Sequence, residues 1–240
     1  MSDRRITLLQ LYPQDMNIYG DHGNALVLQR RLQWRGYQVD ARSYNPGDTF
    51  PDDVDLIVGG GGQDSGQGKI EADLLALGPR LRDLADADVP MLMVCGLYQL
   101  FGHSFETVSG EVLEGIGVLD CTTYGKTERL IGNTIVDSEE FGAIVGYENH
   151  SGQTFLGPGA TPLGRVRLGS GNNTVDGTEG ARYRNVIGTY LHGSVLPKNP
   201  AIADSLIATA VRRKYGEALG AALDDRDADL ARQAALRRPR

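Results

Sequence analysis

At 240 residues, with 40% hydrophobic and 23% charged residues, the chain has ordinary globular composition and enough length to bury a full core. Its formal charge of −7 argues against a general nucleic-acid binder, which needs a basic face toward phosphate; the basic end Arg237-Arg238-Pro239-Arg240 reads as a solvated tail. No segment reaches the ~20 apolar residues of a membrane helix, and the polar Met1 to Arg5 with the short apolar run Ile6 to Leu11 is no signal peptide. A cytoplasmic protein is expected, with Cys95 and Cys121 both reduced and at no metal-type spacing.

Ile6 to Tyr12 is short, apolar and followed by a turn, so it predicts a buried strand. A loop rich in Asn, Gly and Asp follows. A helix is expected near Asn24 to Trp34, with Leu26, Val27, Leu28 and Leu32 toward the core and Gly36 as its stop. Strands are expected over Tyr37 to Ser43 and Val54 to Val58, the latter ended by Gly59-Gly60-Gly61-Gly62. A leucine-rich helix from Lys69 to about Ala87 and a buried strand Val89 to Val94 come next. Strands alternating with helices of this length imply βαβ units: an α/β fold with a mostly parallel central sheet flanked by helices. After Gly115 short β-like runs form an additional β-rich portion through about Leu191. Pro200 to Tyr215 predicts a helix opening with proline. Residues 1–215 thus read as one domain and 216–240 as a charged extension, helical or partly disordered.

Three places combine the residue types that acyl-transfer chemistry needs. The strand ending at Val94 feeds directly into Cys95-Gly96 and the helix-compatible Leu97-Tyr98-Gln99-Leu100-Phe101, the layout of a nucleophile elbow. There the N-terminus of the next helix favours a thiolate, and Gly96 lets another backbone come close. Gly59 to Gly62 leave N–H groups uncovered after a strand, which suits an anion nest or oxyanion hole; no Gly-Lys-Ser/Thr follows, so this is no P-loop. Asn185 to Leu191 reads as a strand that delivers His192 to its end, with Gly193 permitting a turn. A thiol nucleophile needs a base and an acid, and histidine serves as both near neutral pH. Among the other histidines, His150 lies in the polar Tyr147-Glu148-Asn149-His150-Ser151-Gly152 and ranks above His22 and His103. His103 has no evident partner, and Asp21, beside His22, could be a helix cap.

Together these motifs resemble the class I (triad-type) glutamine amidotransferases, in the branch that includes cobyric acid synthase. The carrying segments are Gly59 to Asp64, Cys95 to Gln99, Tyr147 to Gly152 and Gly188 to Gly193, over a match from about Ile6 to Ala210. The opening Tyr12-Pro13…Met16-Asn17-Ile18-Tyr19-Gly20-Asp21-His22-Gly23-Asn24 resembles the glutaminase subunits that serve a Mur-ligase-like (MurT-like) partner more than it does the cobyric acid enzymes. The resemblance implies that Cys95 attacks the side-chain amide of L-glutamine and that His192 protonates the departing ammonia and then activates water. It further implies that N–H groups at Gly60, Gly61 and Gly96 stabilise the oxyanion, that Arg129 holds the α-carboxylate, and that Gln99 touches the substrate or caps the pocket.

No cofactor or metal is expected in this chain; ATP and Mg would belong to the partner, which amidates the D-glutamate of lipid II, at the inner face of the membrane. Alternatives are the glutaminase part of a cobyrinate or cobyric acid amidating system, a binding module that has lost catalysis, and a cysteine peptidase or deglycase. Two departures from the family pattern stand out. Ser194 occupies the place of the usual glutamate, so either a dyad suffices or a carboxylate arrives from elsewhere, with Asp21 and Glu148 as candidates. Met93 and Leu97 replace glycines around Cys95, and Leu97 is expected to narrow the space beside the nucleophile.

Overall fold

The computed structural model describes residues 4–192 and 194–239. Gly193, expected to permit the turn after His192, and Arg240 of the basic tail lie outside the described residues. The chain opens with β1 (Arg5–Leu11), α1 (His22–Trp34), β2 (Gln38–Tyr44), β3 (Leu56–Gly59), α2 (Asp64–Asp86), β4 (Met91–Val94) and α3 (Gly96–Phe101). A β-rich portion follows: β5 (Ser104–Glu106), β6 (Val112–Glu114), the long hairpin β7 (Cys121–Ser138) and β8 (Gly142–Leu156), β9 (Gly164–Leu168) and β10 (Thr178–Glu179). The chain ends with β11 (Ala181–Tyr183), β12 (Val186–Thr189), α4 (Val195–Lys198), α5 (Pro200–Tyr215) and α6 (Arg226–Leu236). Among the described residues no helix is long and apolar enough to cross a membrane.

The central sheet has six strands in the order β11-β12-β4-β3-β1-β2, parallel except for the edge strand β11. Every residue of β3, β4 and β12 is buried, as expected for strands covered on both faces. Their register aligns the ends. Leu11 of β1 pairs with Gly59 of β3, Gly59 with Met93 of β4, and Thr189 of β12 with Val94. The loops that leave these neighbouring strands therefore open on one edge of the sheet, where α/β folds place their ligands. The β7–β8 hairpin belongs to a second sheet, and the bridge between Tyr147 and His192 ties it to that edge.

Three expectations change. Helix α2 starts at Asp64, not Lys69, and runs through Gly66 and Gly68. Gly66 needs its missing side chain there, because a Cβ would sit 3.0 Å from the Asp15 carbonyl oxygen. Leu26 of α1 is 47% exposed rather than in the core; Leu28 and Leu32 carry that face. The β12 strand stops at Thr189, so Tyr190 and Leu191 lie in the loop that carries His192.

The charged extension contains α6, which has no buried residue and is held by polar contacts. Arg31 of α1, 4% exposed, grips Asp204 of α5 through Nε and Nη2 at 2.7 and 2.8 Å and also binds Asp225, just before α6. Arg232 donates to the Ala143 carbonyl at 3.1 Å. Removing the buried guanidinium takes the paired bonds from Asp225 and part of them from Asp204, which keeps Arg35 Nη2 at 2.8 Å. Arg31→Ala should lower unfolding free energy by about 3 kcal/mol in a guanidinium titration and speed proteolysis between residues 217 and 225. An unchanged midpoint would show that the cluster holds nothing.

Candidate active site

Val94 leads straight into Cys95, whose backbone adopts φ 50° and ψ −102° before α3 begins. That conformation is strained for a residue with a Cβ and must be held by its surroundings. The Cys95 N–H donates to the Thr189 carbonyl and the Gln99 N–H donates to the Cys95 carbonyl, both at 2.9 Å. The turn presents the thiol to a cavity of about 360 Å³ lined also by Tyr19, Gln99, Arg129, Asn149 and His150. Cys121 differs: burial pushes its thiol up to about 12, which keeps it protonated and inert.

The four-glycine run has no room for a side chain at any position. A Cβ on Gly59 would lie 2.2 Å from Leu97 Cδ1, and one on Gly60 2.4 Å from the Met16 carbonyl oxygen. On Gly61 it would lie 2.8 Å from His192 Cε1 and 3.0 Å from Cys95 Cβ, and on Gly62 2.5 Å from Met16 Sδ. The space left at Gly59 is where the two departures go: Leu97 and the Met93 sulfur pack there. Leu97 is fully buried and is not among the cavity-lining residues, so it does not narrow the space beside the nucleophile. Gly96 lies against the loop as well; a Cβ there would stand 3.0 Å from the Gly62 nitrogen. The Gly60 carbonyl accepts the Leu97 N–H at 3.3 Å. Gly61, expected to offer its N–H to an oxyanion, gives it instead to Asp21 Oδ2 at 2.8 Å.

His192 is fully buried, with Nδ1 at 3.3 Å from Asp21 Oδ1. Its backbone N–H donates to the Tyr147 carbonyl at 2.8 Å. Among the described residues its buried Nε2 has no hydrogen-bond partner, and its Cε1 lies beside Gly61, as does Cys95 Cβ. Burial by itself would lower the imidazole's pKa, but the charge on Cys95 and the bond to Asp21 outweigh it and raise the value to about 10. Asp21 makes no side-chain cap for α1; Asn17 Oδ1 instead accepts the His22 N–H at 2.7 Å. Glu148 serves elsewhere, accepting the Ser170 and Gly171 N–H groups at 2.9 and 2.8 Å. Ser194, in place of the family glutamate, donates to the Gly20 carbonyl at 2.7 Å and so pins the residue before Asp21.

Arg129 reaches the cavity from the irregular stretch of β7 between Gly125 and Leu130. Its Nε donates to Asn149 Oδ1 at 2.6 Å. Gln99 is buried; its carbonyl accepts from Gln67 Nε2 at 2.8 Å and its amide donates to the Tyr190 hydroxyl at 3.1 Å. His150 stacks on Tyr190 with ring centroids 3.6 Å apart and holds the Gly152 carbonyl through Nδ1 at 2.6 Å. Burial drops its pKa to about 3, so it stays neutral and is no proton donor. His22 pairs with Gln10 and His103 with Asp120, both away from the cavity.

Sequence reasoning did not single out Glu179. Burial raises its pKa to about 7, and it accepts the Thr189 hydroxyl and the Tyr190 N–H at 2.9 and 2.7 Å, just before His192. No residue pattern marked it, since its partners come from the fold. Among the described residues no three His, Cys, Asp or Glu side chains gather as a metal site.

The arrangement can hold a thiolate beside an imidazolium, and it makes a pH statement. The folded His192 value of about 10 lies above the ordinary 6.5. The share of its stabilisation that comes from the bond to Asp21 is therefore present below pH 6.5 and lost as pH rises through about 10. Histidine-selective NMR should show the His192 ring titrating near pH 10, and Asp21→Ala should lower that midpoint by about one pH unit or more. A midpoint near 6.5 in the unaltered protein would contradict the pairing.

Residues 7–200 match the CobB/CobQ-like glutamine amidotransferase domain. The subunit GatD of the glutamine-hydrolysing lipid II isoglutaminyl synthase from Staphylococcus aureus (strain N315) is 40% identical over 211 residues, covering 87% of this chain and 86% of that one. The protein of the same name from Streptococcus pneumoniae is 37% identical over 216 residues, covering 89% and 83%. A solved glutamine amidotransferase from Thermotoga maritima shares the fold, with a TM-score of 0.56 at 15% identity over 96% of this chain and 93% of that one. The elbow cysteine, the buried histidine and the glycine loop thus stand in a chain that belongs to the CobB/CobQ-like glutamine amidotransferase family, in its GatD branch.

Proposed function

We propose that this chain is the glutaminase subunit of a two-component lipid II isoglutaminyl synthase. It hydrolyses L-glutamine to glutamate and ammonia, and the ammonia goes to a MurT-like, ATP-dependent Mur ligase subunit. That partner amidates the D-glutamate α-carboxyl of lipid II to D-isoglutamine. The observation that carries the reading is Cys95 and Arg129 on one cavity, with His192 buried behind it next to Cys95 at Gly61, in a chain whose relatives are named as glutamine-hydrolysing subunits.

In this reading the Cys95 thiolate attacks the glutamine amide carbon and forms a tetrahedral intermediate. The oxyanion is met by N–H groups of Gly96 and the glycine loop, each worth about 3 kcal/mol in the transition state. With the Gly61 N–H given to Asp21, the loop's share rests on Gly60 and on Gly62, whose nitrogen lies against Gly96. His192 Nε2 protonates the departing amine, which leaves as ammonia, and a thioester remains on Cys95. The neutral imidazole then takes a proton from water, which attacks the thioester and releases glutamate. Asp21 stabilises the imidazolium through Nδ1 and holds the tautomer that keeps Nε2 available for water. Arg129 binds the α-carboxylate, and Gln99 supports the cavity floor through Gln67 and Tyr190. Ammonia released into water would be protonated, so the subunit works docked to its synthetase.

Assayed with the partner, Cys95→Ala should abolish glutamate release while the circular dichroism spectrum stays native; persistent hydrolysis would sink the mechanism. Arg129→Ala should raise KM for glutamine about tenfold or more, since a charge-assisted pair is lost, with a smaller change in kcat. An unchanged KM would remove Arg129 from the substrate site.

A further inference from the structure

The loop between β1 and α1 carries one side chain for which the mechanism above has no role. Tyr19 sits in a single 3-10 turn, Ile18–Gly20, at φ 59° and ψ 17°. The left-handed region is unfavourable for a residue with a Cβ, and tyrosine has none of the local hydrogen bonding that lets Asn or Asp rest there. The turn is nonetheless fastened on every side. The Ile18 N–H donates to the Gly61 carbonyl at 2.9 Å, Ser194 holds the Gly20 carbonyl, and the Asp21 carboxylate takes the Gly61 N–H. Core packing does not account for the residue, because Tyr19 is 43% exposed.

Its contacts lie on the two sides of the reaction. The ring meets His192 edge-on, with centroids 5.0 Å apart and planes at 71°. The phenolic oxygen accepts from Arg129 Nη2 at 3.3 Å, and both side chains line the cavity that holds Cys95. Asn149 takes the Arg129 Nε–H, so the guanidinium is oriented from two directions, with Nη1 unengaged by any described residue. The phenolic proton has no acceptor among the described residues. A carboxylate on Arg129 would find two kinds of donor side by side: guanidinium N–H groups for one oxygen and a phenol O–H for the other.

We propose that Tyr19 is a substrate-binding residue: its hydroxyl donates to the α-carboxylate of glutamine held on Arg129, and its ring closes the cavity over His192. This rests on the glutaminase reading. The two contacts are separable. The hydroxyl acts on recognition of a free carboxylate. The ring keeps water from the imidazole, which strengthens the histidine's electrostatic interactions with its neighbours. One tyrosine thus joins the group that selects the substrate to the group that moves the proton.

Tyr19→Phe and Tyr19→Ala separate the contacts in steady-state assays with the partner, using L-glutamine and its α-methyl ester. Loss of a hydrogen bond to a charged group should raise KM for glutamine about tenfold in Tyr19→Phe, with kcat within about twofold. The preference for glutamine over the ester should fall by a similar factor, a change that general loosening of the fold would not produce. Tyr19→Ala should show the same loss of preference and a further fall in kcat, restored by the phenylalanine ring. A Tyr19→Phe protein of native melting temperature with unchanged KM and unchanged ester discrimination overturns the proposal while leaving the glutaminase reading intact. Absence of Cys95-dependent hydrolysis in the unaltered protein would instead overturn both.

Discussion

The Asp21 carboxylate has two oxygens and a separate duty for each. One meets His192 Nδ1, and the other accepts the Gly61 N–H. Its side chain is 1% exposed, so the carboxylate must be satisfied inside the protein or be very costly to keep there. Satisfying it fixes the β1–α1 loop, the glycine loop and the imidazole relative to one another. Ser194 adds a third tie by holding the Gly20 carbonyl. The position where the wider family carries a glutamate is thus not idle. It supports the loop that delivers a carboxylate from the other direction.

The carboxylate can reach because neighbouring parallel strands end together. Leu11, Gly59, Val94 and Thr189 close β1, β3, β4 and β12 at one level of the sheet, so Asp21, Gly61, Cys95 and His192 leave from a common edge. At such an edge backbones approach more closely than side chains allow. The glycine run answers that constraint, since a Cβ at any of its four positions would fall within 2.2–2.8 Å of a neighbouring atom. The energy that holds Cys95 at a strained φ comes from the same packing, through the bonds to Thr189 and Gln99.

How much of this was legible beforehand follows from the range of each interaction. Helix α5 runs from Pro200 to Tyr215 as expected, because its start and stop are local: proline in the first turn and Gly216 at φ 69° after the last. The buried strands were legible from their apolar runs, and Cys95 from its place at a strand end. The start of α2 was not, since Gly66 and Gly68 read locally as loop while the reason for Gly66 is a carbonyl at Asp15. The choice between Asp21 and Glu148 was illegible for the same reason. Asp21 and His192 are 171 residues apart in sequence, and only the strand order makes them neighbours. Leu97, beside the nucleophile in sequence, reads as facing the substrate, whereas the helical turn at Gly96 sends it onto Gly59.

The central claim is that a carboxylate from the β1–α1 loop completes the catalytic pair, and the steady-state kcat of Asp21→Asn tests it most directly. Asparagine keeps the shape but offers one carbonyl oxygen, so it cannot serve both Gly61 and His192, and its amide favours the wrong imidazole tautomer. We expect kcat for glutamine hydrolysis to fall by about 10²–10⁴-fold with KM little changed. A kcat within about twofold of the unaltered protein would mean that Cys95 and His192 act as a dyad and that Asp21 only fastens the loop.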